Sequence, residues 1–92
     1  MFREVTIDSF RQIRALQSTA CQYNVPIVIH DANGSIADAK SILGLMSLDY
    51  SKPVKIIVDD GYADISNIIV RNLNDESYLK ETFEKLNPSF KN

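Results

Sequence analysis

The chain has a single cysteine, Cys21, which excludes an internal disulfide and any zinc site built from several cysteines. No apolar run approaches the roughly 20 residues of a membrane-spanning helix. The N-terminus carries no charged-then-apolar signal pattern, so the expected compartment is the cytoplasm. A net charge of −2 gives no electrostatic reason to expect nucleic acid or an anionic membrane as a partner. Also missing are a glycine-rich phosphate loop, a metal-ligand cluster and a catalytic dyad, so the reading is a non-enzyme without metal or cofactor. What is present has ordinary globular balance: 92 residues, 45% hydrophobic and 24% charged, suit one core and are too few for two. Cys21 itself, on a helix and without a histidine or asparagine signature nearby, reads as a small core residue.

Periodicity then divides the chain. Residues 2–7 alternate as an edge-compatible strand whose inward face is open: Phe2, Glu4 and Thr6 on one side, Arg3, Val5 and Ile7 on the other. Asp8 or Ser9 caps a helix running to about Tyr23, with Phe10, Ile13, Leu16, Ala20 and Cys21 as its apolar face. Residues 26–30, with Ile27, Val28 and Ile29 in succession, have the β-branched content of a central strand. Asn33-Gly34 signals a hairpin turn into a brief third strand over residues 35–39. A fourth strand begins at Val54, and Asp59-Asp60-Gly61 reads as a turn and helix entry, not as paired catalytic carboxylates. Tyr62, Ile65, Ile68, Ile69 and Leu73 define a helix ending near Asn74. Beyond it, Leu79, Phe83, Leu86 and Phe90 mark a further helix that Asn74 or Asp75 would cap and Asn87-Pro88 would stop. Its apolar face must be covered, by the domain or by another subunit.

Between the third and fourth strands lies the most informative stretch, residues 40–48, Lys-Ser-Ile-Leu-Gly-Leu-Met-Ser-Leu. Asp38 and Ser41 are both plausible N-caps for a short helix through Ile42, Leu43, Leu45 and Met46. Its apolar content exceeds a single buried stripe, so part of it is expected to face outward as a docking surface. Which residues point inward is open at this level.

This stretch resembles the regulatory-serine segment of HPr, the phosphocarrier family of the bacterial sugar phosphotransferase system, in which Lys-Ser-Ile, Gly and Met-Ser-Leu recur. The resemblance runs from about Glu4 to Leu73 and implies an α+β, HPr-like open-faced sandwich of order βαββαβα. In that fold a four-stranded antiparallel sheet carries its helices on one face. Residues 1–74 would form this domain and residues 75–92 a C-terminal helical extension. The resemblance fails at the carrier histidine, which the family holds within Gly-Ile-His-Ala-Arg-Pro-Ala at the start of the first helix. Its place here is Ser9, in Ile-Asp-Ser-Phe-Arg-Gln-Ile, and Arg11 alone survives. A serine phosphoester is too stable to relay a phosphoryl group, and His30, in the second strand, cannot substitute. The chain is therefore not expected to be a phosphocarrier.

Ser41 falls on the position that HPr kinase phosphorylates, and Arg11, Ile42, Leu43 and Met46 match or adjoin family positions that meet partners. The resemblance thus implies a regulatory binding protein related to carbohydrate transport and catabolite repression, like the family's paralogue that lacks the histidine and keeps the serine. Expected partners are HPr kinase, a transcriptional regulator or a sugar-transport component. Read without the resemblance, Ser41 is a helix cap, Arg11 a solvated side chain, and Leu43 and Met46 core. The alternative function is assembly, a homodimer formed through the C-terminal helix.

Overall fold

Four short runs, the two central ones rich in β-branched residues, pair into one antiparallel sheet, and their alternation decides which face is buried. The computed structural model describes residues 2–86, with side chains described for residues 2–81. The strands are β1 (Phe2–Val5), β2 (Val28–His30), β3 (Ile36–Asp38) and β4 (Val54–Ile57), in the spatial order β1-β4-β2-β3. Ile56 lies opposite both Arg3 and Ile29, and Lys55 opposite both Glu4 and His30. Successive side chains leave opposite faces of a strand. Val54, Ile56, Ile29 and Ala37 are consequently buried, while Phe2, Glu4, Lys55 and Ile36 stand on a face that nothing covers among the described residues. For β1 this settles the open question: Val5 packs against the core and Phe2 is turned out.

The helices α1 (Phe10–Ala20), α2 (Ile42–Met46), α3 (Ala63–Leu73) and α4 (Glu76–Leu86) cover the buried face. A 3-10 turn over Asp60–Tyr62, capped by the Asp59 carboxylate, leads into α3. Leu16, Ala20, Leu45, Ile65, Ile69 and Leu79 enter one core cluster with the inward strand residues. The result is a mixed α+β domain in the expected element order. No helix among the described residues is long and apolar enough to cross a membrane.

Several local expectations are corrected. The first helix ends at Ala20, not near Tyr23, with Cys21 as its C-cap, and Cys21 is exposed where a core residue was expected. Phe10 is also turned out, 42% exposed, and the buried set is Ala15, Leu16, Thr19 and Ala20. Thr19 can take a core position because its hydroxyl is satisfied there. Asn72 Nδ2 donates to it at 3.1 Å, and the Tyr78 hydroxyl lies at 3.1 Å. These bonds stitch α1 to α3 and α4 through groups that would be costly to bury unpaired.

At the β2–β3 connection, Asp31 N donates to Ser35 O at 3.0 Å, leaving a three-residue loop. Gly34 alone among the described residues has positive φ, 87°. The hairpin is therefore the longer connection that needs one left-handed residue, not a two-residue Asn-Gly turn. The chain breaks near Asn74 as expected, and Asp75 caps α4 through Tyr78 N. Leu79 is buried against the domain. The side chains of Phe83 and Leu86, and all of Phe90 and Asn87-Pro88, lie outside the described residues.

Candidate functional site

Two helices begin at serine caps, and the two surroundings differ. Ser41 has extended backbone (φ −103°, ψ 106°), and its Oγ accepts from Gly44 N at 3.1 Å. That bond satisfies one of the donors left over at a helix start. Asp38 serves the preceding turn instead, accepting from Lys40 N at 2.9 Å. The far end of α2 is equally closed. Ser47 Oγ donates to Gly44 O at 2.7 Å, and the Tyr50 hydroxyl donates to Leu45 O. Gly44 lets the helix lie close on β3, since a Cβ there would stand 3.4 Å from Ala37 Cβ and 3.2 Å from Ser41 Oγ.

Five helical residues cannot bury everything they carry. Leu45 is fully buried and Ile42 half-buried, whereas Leu43 is 80% and Met46 54% exposed. The structure thus resolves the orientation that periodicity left open, with Leu43 and Met46 outward. Ser41 is exposed beside them. The Lys40 ammonium does not flank the serine as a free cation, because Nζ donates to Val25 O at 2.8 Å.

Asp31 holds the loops beyond this helix. Its carboxylate, buried at the β2–β3 turn, accepts from Asn33 N and Ser35 N at 2.9 Å and from Asp49 N at 3.0 Å. Asp49 in turn accepts from Ser51 N and from Asn33 Nδ2. These backbone donors, that of Asp49 foremost, hold the Asp31 carboxyl below its ordinary pKa against the opposing effect of burial. Asp49 is likewise lowered, chiefly by Ser51. Burial, assisted by the negative charge of Asp31, pushes the Tyr50 phenol up to about 12.

Ser9 begins α1. Its Oγ accepts from Gln12 N at 3.3 Å, while Gln12 Oε1 accepts from Asp8 N at 2.8 Å and Gln12 Nε2 donates to Leu73 O at 3.2 Å. The helix start is closed by its own side chains and tied to the end of α3. Arg11, exposed, lines with Ser9 and Glu76 a cleft of about 400 Å³ against α4. The one histidine, His30, projects from β2 on the uncovered sheet face, in a separate cleft with Glu4 and Lys55. Ser9 therefore has no imidazole beside it, and the arrangement offers a cap where relay chemistry would need a nucleophile with a base. Among the described residues no group of three or more metal-binding side chains gathers.

The expected docking residues fall into two places: Ser41, Ile42, Leu43 and Met46 on α2, and Arg11 with Ser9 at the start of α1. Sequence reasoning missed Gln12, Asp31 and Arg14. An Asp two residues before Asn in a turn is a recognisable Asx signal for Asp31, and Ser-x-x-Gln a capping signature for Gln12. Arg14 has no such signal. Its Nε is shielded from solvent without an acceptor, a property of packing alone. Comparison with family models, with curated proteins and with solved structures finds no match to this chain.

Proposed function

We propose that this chain is an HPr-like regulatory binding module that docks proteins through α2 and does not carry a phosphoryl group on histidine. The outward pair Leu43 and Met46, beside the exposed cap Ser41, is the observation that carries the reading. A helix that leaves Leu43 and Met46 in solvent, while its cap holds Gly44 N and the carbonyls of Gly44 and Leu45 are taken up by Ser47 and Tyr50, has apolar surface available for a partner. The βαββαβ order with helices on one sheet face supports the family resemblance, and the self-closed start of α1 supports the absence of carrier chemistry.

Phosphorylation of Ser41 by HPr kinase suits the position. A phosphate adds about −1.5 to −2 charge where first-turn N–H groups favour it, so α2 is kept and the docking face changes sign. The modification would then select among partners, a transcriptional regulator or a sugar-transport component. Intact mass after incubation with HPr kinase and ATP tests this beside a Ser41→Ala control. One added phosphate that the control lacks supports it, and no addition reduces Ser41 to a cap.

The rival reading, assembly through residues 75–92, has less apolar face at its disposal because Leu79 is buried within the domain. Light scattering of the full chain decides it: a monomer removes the homodimer.

A further inference from the structure

The strand register sorts the uncovered face of the sheet into two rows. Phe2, Ile57 and Val28 lie side by side on β1, β4 and β2, and Glu4, Lys55 and His30 lie side by side on the same three strands. The face of an antiparallel sheet that meets water is ordinarily polar. Here the first row is apolar throughout: Phe2 is 55% exposed, and Ile57 and Val28, half-buried, line with Pro26 a groove of about 320 Å³. The second row sets an acid beside a base and leaves them unpaired. Glu4 stands directly opposite Lys55, yet among the described residues no ion pair joins them, and the Lys55 ammonium lies over the Phe2 ring, 4.8 Å from its centre.

A projecting ring and a groove thus sit on neighbouring strands, about 4.8 Å apart, and so do a carboxylate and an ammonium. That spacing is self-complementary. A two-fold axis running along the strands between β1 and β4 exchanges these two strands between two copies, and every contact it makes is made twice. It lays Phe2 over Ile57 of the second copy, at the groove with Val28 and Pro26, and Glu4 over Lys55 of the second copy. An axis over β4 would instead set Lys55 against Lys55, and one between β4 and β2 would set Lys55 against His30, so charge selects the first placement. Sheets packed face to face keep their strand directions within about 30° of each other, which this axis allows. We propose that the chain forms a two-fold dimer through the β1–β4 half of its uncovered sheet face, with Phe2 of each copy in the groove of the other and two Glu4 to Lys55 ion pairs between copies. The face lies across the sheet from α2 and contains no residue of 75–92, so the inference is independent of both the docking reading and assembly through the C-terminal helix. Two strands of four residues present less than the ~800 Å² per partner of a standard interface, so the dimer is expected to be weak.

The test is dilution of the full chain from about 1 mM to about 10 µM, followed by amide NMR and by sedimentation equilibrium. The expected result is a monomer–dimer equilibrium in which the amides of residues 2–5 and 54–57 shift with concentration and those of α2 and α4 do not. Phe2→Ala should weaken the dimer at least about tenfold. Glu4→Lys and Lys55→Glu should each weaken it at least about threefold, and the double variant, which rebuilds both pairs with the charges exchanged, should return to within about twofold of wild type. Circular dichroism of each variant checks that the fold is kept. A monomer at every concentration, shifts centred on α4, or a double variant no tighter than the weaker single one overturns the inference, and each of these results leaves the docking reading of α2 standing.

Discussion

The starts of α1 and α2 are chemically alike and differ in their surroundings. Each is capped by a serine whose Oγ accepts from the N–H three residues on, Gln12 for Ser9 and Gly44 for Ser41. At α1 Phe10 is turned out, but Gln12 closes back on the helix start, reaching both Asp8 N and Leu73 O, and α4 lines the adjoining cleft with Glu76 and Leu79. At α2 Leu43 and Met46 stand in solvent. A cap is thus no guide to function by itself. What distinguishes the two is that the first turn of α1 is tied to the end of α3 and flanked by α4, whereas α2 leaves Leu43 and Met46 open.

The comparison is sharpened most strongly within α2. Leu45→Ala should destabilise the domain by about 2–5 kcal/mol, the range for a leucine cut back in a packed core. Leu43→Asp should change stability by no more than about 0.5 kcal/mol. Urea denaturation of the two variants measures the contrast, and similar losses in both would show that Leu43 is part of the core.

The loops that flank α2 should respond to pH. Asp31 and Asp49 are held below the ordinary carboxylate pKa in the folded chain, so the stability they contribute is complete above about pH 4, the unfolded value, and is lost as pH falls through their lowered folded values. Thermal melts should show a flat plateau near neutrality and a fall in acid, and Asp31→Asn should flatten the acid limb. For Tyr50 the sign reverses. Its folded pKa of about 12 exceeds the ordinary value of 10, so its contribution is present below pH 10 and declines between pH 10 and 12. Tyr50→Phe should remove that alkaline decline.

At the start of α1, Gln12→Ala removes two side-chain bonds and should cost about 1–2 kcal/mol by chemical denaturation. Ser9→Ala should cost about 0.5–1 kcal/mol, the usual loss of a serine cap. A larger effect on partner binding than on stability in either variant would break the division between a structural α1 start and a docking α2.

Element order was legible because periodicity survives in short runs. Val54, Ile56 and Val58 at one face of a strand, and Ile65, Ile69 and Leu73 along a helix, could belong to little else. The break at Asn74 was legible from the mismatch between Leu73 and Leu79. The first helix was misread at both ends of its apolar stripe, since Phe10 and Cys21 lie in the stripe by spacing yet outside the core by packing. Thr19 was overlooked because its partners, Asn72 and Tyr78, are more than 50 residues away. The split within α2 was invisible in sequence for another reason: Leu43 and Leu45 are the same residue type, and packing, with Gly44 close to Ala37 and Leu45 in the core, separates them.

The most direct test of α2 as the docking element is calorimetric titration of HPr kinase with the wild-type chain, Leu43→Asp, Met46→Asp and Ser9→Ala. Both aspartate variants should lose at least about tenfold in affinity with the fold retained, while Ser9→Ala binds like wild type. Wild-type affinity in both aspartate variants, or a loss confined to Ser9→Ala, would contradict the account.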